Sequence, residues 1–495
     1  MRKTNGKLFL ALLVGVVVLT GAVFAVHYFQ YQRIARALLF QARRAEEKGD
    51  KAEEAKFRQL YLEFNPRDPD ETAALARLWA GDGYPVTSKQ KRQAVELMDQ
   101  VLAYQDDPEL RRLLVKTALQ VRPRPDLRRA TEHLERLLPR KELDKSVEAD
   151  KAARKAGKPI DPDFARPDAA RGELEGYWGM ILEEGKETVA ALHCHRLAIL
   201  HAPETTASYL RLASLLRREN EPDPQQKVRN QAEADRVVEA LVQKNPDAHE
   251  SYLTRWGYRR EFNLLSLRDG DGGHIELEKA GEDVTKALRM KPESIEVLLA
   301  AADLERLRGR AAAEDSSRPA LDRRALTREH RDRAARHLER GQEIVAHNLA
   351  ATTDYGRFQL LWHQANLLLD RLDSTRAEAD EENKPEPDVS RLKDQIRGAV
   401  EQIRRVPVAS AAPSADYVLG RLLVHDREWR DAAKLFEGAK ALMQEQPEMV
   451  CQANLYLGQC YEKLEEHTQM FSAFKRVIEW DPNSVPALMG MAVAR

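Results

Sequence analysis

Apolar residues recur along this chain at helical spacing, and the same spacing returns many times. In QAEADRVVEALVQKNP, residues 231–246, Ala234, Val238 and Leu241 fall on one face of a helix that Pro246 ends. The pattern returns at Ala280, Val284, Ala287 and Pro292. Without a proline at that offset it returns at Ala94, Met98, Val101; Ala130, Leu134, Leu137; Ala190, Cys194, Leu197; Ala334, Leu338, Gly341; and Ala432, Phe436, Ala439. A small side chain stands where a neighbouring helix must approach closely. Each such helix adjoins another, such as ASYLRLASLLRR (207–218) or IEVLLAAADLERL (295–307). A pair of helices this short cannot bury its own apolar faces and is stable only when neighbours stack on it. The predicted fold class is all-α, a solenoid of antiparallel helix pairs.

A different pattern opens the chain. LFLALLVGVVVLTGAVFAV, residues 8–26, lies in a stretch without charge between Lys7 and Arg33, long enough to cross a bilayer as a helix. His27, Tyr28, Phe29 and Tyr31 continue it as an interfacial aromatic belt would. The expectation is a basic tail over 1–7 and a transmembrane signal-anchor helix over 8–31, with the lipid bilayer as one partner. Arg33, Arg36, Arg43 and Arg44 balance Arg2, Lys3 and Lys7, so loop charge alone does not orient the segment. A short basic tail is readily held in the cytoplasm while a long domain is exported. The expected placement is therefore a single-pass membrane protein with a cytoplasmic N-terminus and an extracytoplasmic array. The alternative is export after signal cleavage near Ala25.

Leu457-Gly458, Tyr461, Phe474 and Asp481-Pro482, and before them Gly420, Ala432, Phe436 and Ala439, stand at the spacing by which the chain resembles the tetratricopeptide repeat (TPR) proteins. The likeness covers most of residues 35 to 495 and is most specific in the last two units. It implies a right-handed superhelical solenoid of antiparallel helix pairs, here preceded by one transmembrane helix. Departures are visible: successive second-helix alanines such as Ala94 and Ala130, or Ala234 and Ala280, are spaced by 36 to more than 50 residues, where TPR repeats run to about 34. Trp178 and Trp256 stand where the family has glycine, and Met470 where it has alanine.

Inserts account for the excess length. The stretch from Lys141 to Pro167 is rich in Lys, Asp and Pro, and Arg308 to His330 and Asp373 to Asp388 are likewise densely charged; such segments bury little apolar surface. The expected domains are TPR-like repeats over 35–139, a charged flexible insert over 140–169, and TPR-like repeats over 170–495. The last of these ends mid-repeat at NSVPALMGMAVAR (483–495), as if a longer natural protein continued past Arg495.

Composition agrees with an all-helical chain: 43% hydrophobic, 32% charged and 6% aromatic. Lys and Arg number 79 against 80 Asp and Glu, so no global field would gather nucleic acid, and none is expected as a partner. Ion-pair-rich stretches such as Arg323 to Arg340 mix both signs as a solvated helix face does. The three cysteines, Cys194, Cys451 and Cys460, make neither a disulfide framework nor a Cys-rich metal site. No Walker loop, GxGxxG turn, GxSxG elbow, HExxH helix or CxxC pair occurs, so no catalysis and no cofactor are expected. Two clusters carry metal-ligand residue types. His193 and His195 flank Cys194 near His201, but side chains two apart on a helix point about 200° apart, which favours a structural role. Asp269, Asp271 and Glu278 echo a calcium loop, and a glycine turn between helices is the plainer reading. No metal is expected.

In TPR proteins the first helix of each pair lines a concave groove that holds a peptide or a partner helix. The likeness implies groove positions at Leu210, Ser214, Arg217, Leu253, Arg260, Tyr417, Arg421, Leu455, Gln459 and Lys463. The expected function is a membrane-anchored scaffold for protein–protein interaction or complex assembly, with a protein or peptide in the groove and no catalysis. The alternative is a recognition array of a longer enzyme whose catalytic domain lies beyond residue 495.

Overall fold

The computed structural model describes residues 6–81, 88–121, 124–155, 166–218, 223–262, 272–315, 317–347, 354–381, 388–408, 410–443, 447–480 and 484–493. Every regular element among them is an α-helix. The chain divides into two compact units, Met1–Val237 and Val238–Arg495.

The first unit holds α1 (Gly6–Glu47), α2 (Lys51–Phe64), α3 (Pro69–Ala80), α4 (Ser88–Leu102), α5 (Pro108–Gln120), α6 (Leu127–Leu137), α7 (Arg140–Lys155), α8 (Ala169–Glu184), α9 (Thr188–His201), α10 (Thr206–Arg218) and the start of α11 (Pro224–Lys244). Their beginnings are written locally. Asp68 and Asp107 accept hydrogen bonds from the free N–H groups of the next turn, and Pro69 and Pro108 follow at the first helical position, a cap worth about 1 kcal/mol each. α1 packs on α2, α3 on α4, α5 on α6 and α8 on α9. One apolar core runs from Ala55 to Leu197 and includes Ala94, Met98, Ala130, Leu134 and Cys194. Beside them Ala191, not Ala190, takes the fully buried position on α9, a slip of one residue from the predicted register.

The expected anchor is corrected here. Among the described residues no helix is long and apolar enough to cross a membrane, which overturns the single-pass placement and the transmembrane helix over 8–31. The side chains of 8–18, 21, 22 and 25, which carry most of the apolar run, lie outside the described residues. α1 does not stop at the end of that run but continues to Glu47. Tyr31, assigned to the interfacial belt, donates its hydroxyl to the Phe64 carbonyl at 2.7 Å and packs its ring on Phe64 at 4.8 Å. The polar end of the supposed belt is thus bound to the helical array.

The insert is also more ordered than its charge suggests. Residues 140–155 form α7, which packs on α9. Leu143, Ser146, Val147 and Asp150 are buried along one of its faces.

The second unit takes the end of α11 and continues through α12 (His249–Glu261), α13 (Gly272–Met290), α14 (Ile295–Glu314), α15 (Ala320–His347), α16 (Asp354–Glu381), α17 (Ser390–Arg404), α18 (Ala411–His425), α19 (Trp429–Leu442), α20 (Pro447–Lys463), α21 (His467–Trp480) and α22 (Val485–Val493). Ala280, Val284, Ala287, Ala334, Leu338, Ala432, Phe436 and Ala439 are all buried, as their spacing predicts. α17, which the alanine pattern did not mark, is a further second helix with Ile396, Val400 and Ile403 inside. Turns α18–α19 and α20–α21 pass through Arg427 (φ 61°) and Glu465 (φ 59°), and α8–α9 in the first unit through Lys186 (φ 61°). Three non-glycine residues in the left-handed region at the same place in three hairpins mark one repeated turn geometry.

Candidate partner-binding face

First helices meet one another as well as their own partners: in the second unit α14 touches α16, α16 touches α18, and α18 touches α20. Along this row runs a ladder of ion pairs. Arg260 on α12 donates to Asp303 on α14 at 2.7 Å. Arg306, one turn further along α14, donates to Asp370 on α16 at 2.9 Å. Arg421 on α18 donates to Asp373 at 2.9 Å and to Asn366 at 3.2 Å, and lies 3.7 Å from Asp370. His425, one turn beyond Arg421, hydrogen-bonds Asp373 at 2.5 Å, and Arg376 donates to the His425 carbonyl at 2.7 Å.

The ladder is held in a partly dry setting. Arg421 is 8% exposed, and its guanidinium lies over the Tyr456 ring at 5.5 Å. Burial alone would ease its proton off, but Tyr456, Tyr417, Asp373 and Asp370 outweigh that and hold the charge on. Burial works against the Asp373 carboxylate too. The His425 hydrogen bond and the Arg421 charge prevail and keep its carboxyl below the ordinary range. For His363 on α16 burial prevails: opposed by Asp303 but aided by Arg306 and Arg260, it pushes the imidazole down to about 4. It is therefore neutral at physiological pH. A cleft of about 330 Å³ opens between α14, α15 and α16, with Arg306, Arg310, Asp370 and Asp373 on its walls.

The predicted groove residues fall into two groups. Tyr417 is 4% exposed, packed among Trp362, Phe436 and Tyr456. Leu253 is buried with Val242, Tyr252, Ala287 and Val297. With Arg421 these are internal, because the first helices press edge to edge and use such positions to hold each other. Leu455 and Gln459 are half-buried and Lys463 is exposed on α20. Arg260 is half-buried and committed to Asp303. In the first unit Leu210 and Ser214 are half-buried on α10, and Arg217 donates to Asp235 on α11 at 2.6 Å. The likeness missed Asp303, Arg306, Asp370, Asp373 and His425. The sequence shows only charged residues three or four apart on single helices, and nothing local says that those of successive first helices pair.

The clusters with metal-ligand residue types are engaged elsewhere. His193 hydrogen-bonds Asp150 on α7, His195 hydrogen-bonds Glu183 at 2.5 Å, and His201 hydrogen-bonds Glu175 at 2.6 Å. Each ring thus turns to a different carboxylate, and burial pushes the Cys194 thiol up to about 12, leaving it an unreactive core group. Among the described residues no group of three or more His, Cys, Asp or Glu is placed to hold a metal ion. Asp269 and Asp271 lie outside the described residues, while Glu278 accepts from Arg308 at 2.9 Å.

No protein-family model matches the chain, and no curated protein matches it. Solved structures do resemble it. Yeast Tom70 is 14% identical, covering 94% of this chain and 95% of its own, with a TM-score of 0.36. IFIT1, in a monomeric mutant form with m7Gppp-AAAA, is 13% identical over 91% of this chain and 95% of its own, with a TM-score of 0.43. A tetratricopeptide repeat protein from Parabacteroides merdae is 14% identical over 65% of this chain and 95% of its own, with a TM-score of 0.36.

Proposed function

We propose that the chain is a non-catalytic protein-interaction scaffold whose first-helix row in the second unit docks a peptide or a helix of a partner. The observation that carries this reading is the ladder from Arg260 to His425. Each rung joins one first helix to the next, so the row is fixed before a partner arrives and little ordering cost remains to binding. Beside the ladder Leu455, Gln459 and Lys463 on α20 supply an apolar, an amide and a cationic group along one helix face. This mixture suits a peptide better than a small molecule. It is tested by partner recovery on the full chain with Gln459→Glu and Lys463→Glu together. Recovery should fall several-fold while helical circular dichroism is kept. Unchanged recovery by the folded double variant rejects the α20 assignment.

A further inference from the structure

A second cleft lies in the second unit, bounded by the two second helices α15 and α17 with α16 between them. Its volume is about 480 Å³, within the range of about 300–1,000 Å³ in which binding clefts fall. Each wall is one helix face at three- and four-residue spacing. α17 contributes Gln395, Gly398, Ala399 and Gln402, and α16 contributes Gln364, Leu367, Leu368 and Arg371. From α15 come Leu338 and Gln342, the latter hydrogen-bonded to Gln364.

Three properties define what fits. The charges cancel, Arg331 and Arg371 standing against Asp332 and Glu339, so a polyphosphate or a strongly charged segment gains nothing there. Four glutamine side chains face the space, and each carboxamide both donates and accepts. The floor is apolar, with Leu338 and Leu367. Carboxamides on both walls match groups that also donate and accept in alternation, which is the pattern of a peptide main chain in extended form; a helix has already paired those groups within itself. Alternate side chains of such a strand would turn to the leucine floor. A Cβ added at Gly398 meets nothing within 4 Å, so the α17 wall is set back by the missing side chain.

We propose that this cleft is a second docking site, which takes an extended, uncharged peptide segment of a protein partner. It shares α16 with the first-helix row, and Arg331 and Leu367 line both clefts, but none of the α20 groups Leu455, Gln459 and Lys463 lines it.

The probe is a phage-displayed library of random twelve-residue peptides, selected on the full chain. The recovered peptides are then made synthetically with a fluorophore, and their binding is read by anisotropy. Gly398→Trp fills the cleft from a position with open space, and Gln395→Glu with Gln402→Glu replaces donors by carboxylates on an exposed face. Selected peptides low in charge should bind wild type and lose at least tenfold in affinity to each variant. They should bind the Gln459→Glu, Lys463→Glu double variant as they bind wild type. Unchanged melting curves establish that the variants are folded; if Gly398→Trp fails that check, the glutamine pair carries the test. A selection that yields only peptides indifferent to the cleft variants, only charged peptides, or no peptides overturns the proposal.

Discussion

Asp150 and His193, 43 positions apart, are hydrogen-bonded to each other in a buried site between α7 and α9. Asp150 sits in a segment whose composition reads as solvated and is 2% exposed. Removing one partner of a buried ionisable pair leaves the other dry and alone. Asp150→Ala is therefore expected to destabilise the first unit by about 3 kcal/mol, and Lys145→Ala on the exposed face of the same helix by less than about 0.5 kcal/mol. Urea unfolding of the two variants checks this, and equal midpoints would mean that α7 does not pack on α9.

Gly458 shows what the repeated glycine is for. A Cβ there would run into the Phe474 ring, and one at Gly420 would come 2.9 Å from the Phe436 ring, whereas at Gly438 it would meet nothing. Gly458→Val is expected to cost about 1–3 kcal/mol through overpacking, and Gly438→Ala to add up to about 1 kcal/mol through helix propensity. Thermal melts that shift in opposite directions bear this out; shifts in the same direction refute it.

Arg421 separates packing from binding. With its guanidinium buried over Tyr456 and paired to Asp373, Arg421→Ala should cost roughly 2–3 kcal/mol, less than the about 3–5 for a fully dry pair because the Asp373 side chain is 46% exposed. Lys463→Glu on the exposed end of α20 should change stability by no more than about 0.5 kcal/mol. Denaturant titration of both distinguishes them, and a costless Arg421→Ala would remove the α16–α18 rung from the ladder.

Acid should weaken the array through its paired carboxylates. Burial opposes the charge of Glu183, but the hydrogen bond from His195 and the Arg211 charge hold its pKa down. Glu305 is likewise held down by His330 and Arg308 against burial. A carboxyl whose folded pKa lies below its unfolded value, about 4.3 for Glu, contributes stability that is complete above that value. The contribution is lost as pH falls through the lower folded value. Glu305→Gln should thus be clearly less stable than wild type at pH 7 and approach it as the pH falls below about 4. A gap that stays constant between pH 7 and pH 3 would contradict the assignment.

The helical pairs were legible because their signal is local. Ala234, Val238 and Leu241 sit on one face whatever lies around them, and all three are buried. The ladder was not legible, because Arg260 and Asp303 are 43 residues apart and Arg306 and Asp370 are 64 apart. Their meeting depends on how two helices align, which no local period records. α7 hid its pattern behind polar members: Leu143, Ser146, Val147 and Asp150 have helical spacing, but only two are apolar. The N-terminal run misled for the opposite reason. Its local signal is strong, while the attachment of Tyr31 to Phe64 is a matter of tertiary packing.

The central claim, that the first-helix row docks a partner protein, is tested most directly by site-specific photo-crosslinking of the full chain in its native cells. Benzoylphenylalanine is placed at Leu455, Gln459 or Lys463 on α20 and, as controls, at exposed Lys434 or Glu437 on α19. The account predicts one shared protein adduct from the three α20 positions, reduced several-fold by Arg310→Glu on the wall of the cleft between α14, α15 and α16 further along the same row, and absent from the α19 positions. No adduct from α20, or the same adduct in equal yield from α19, would contradict it.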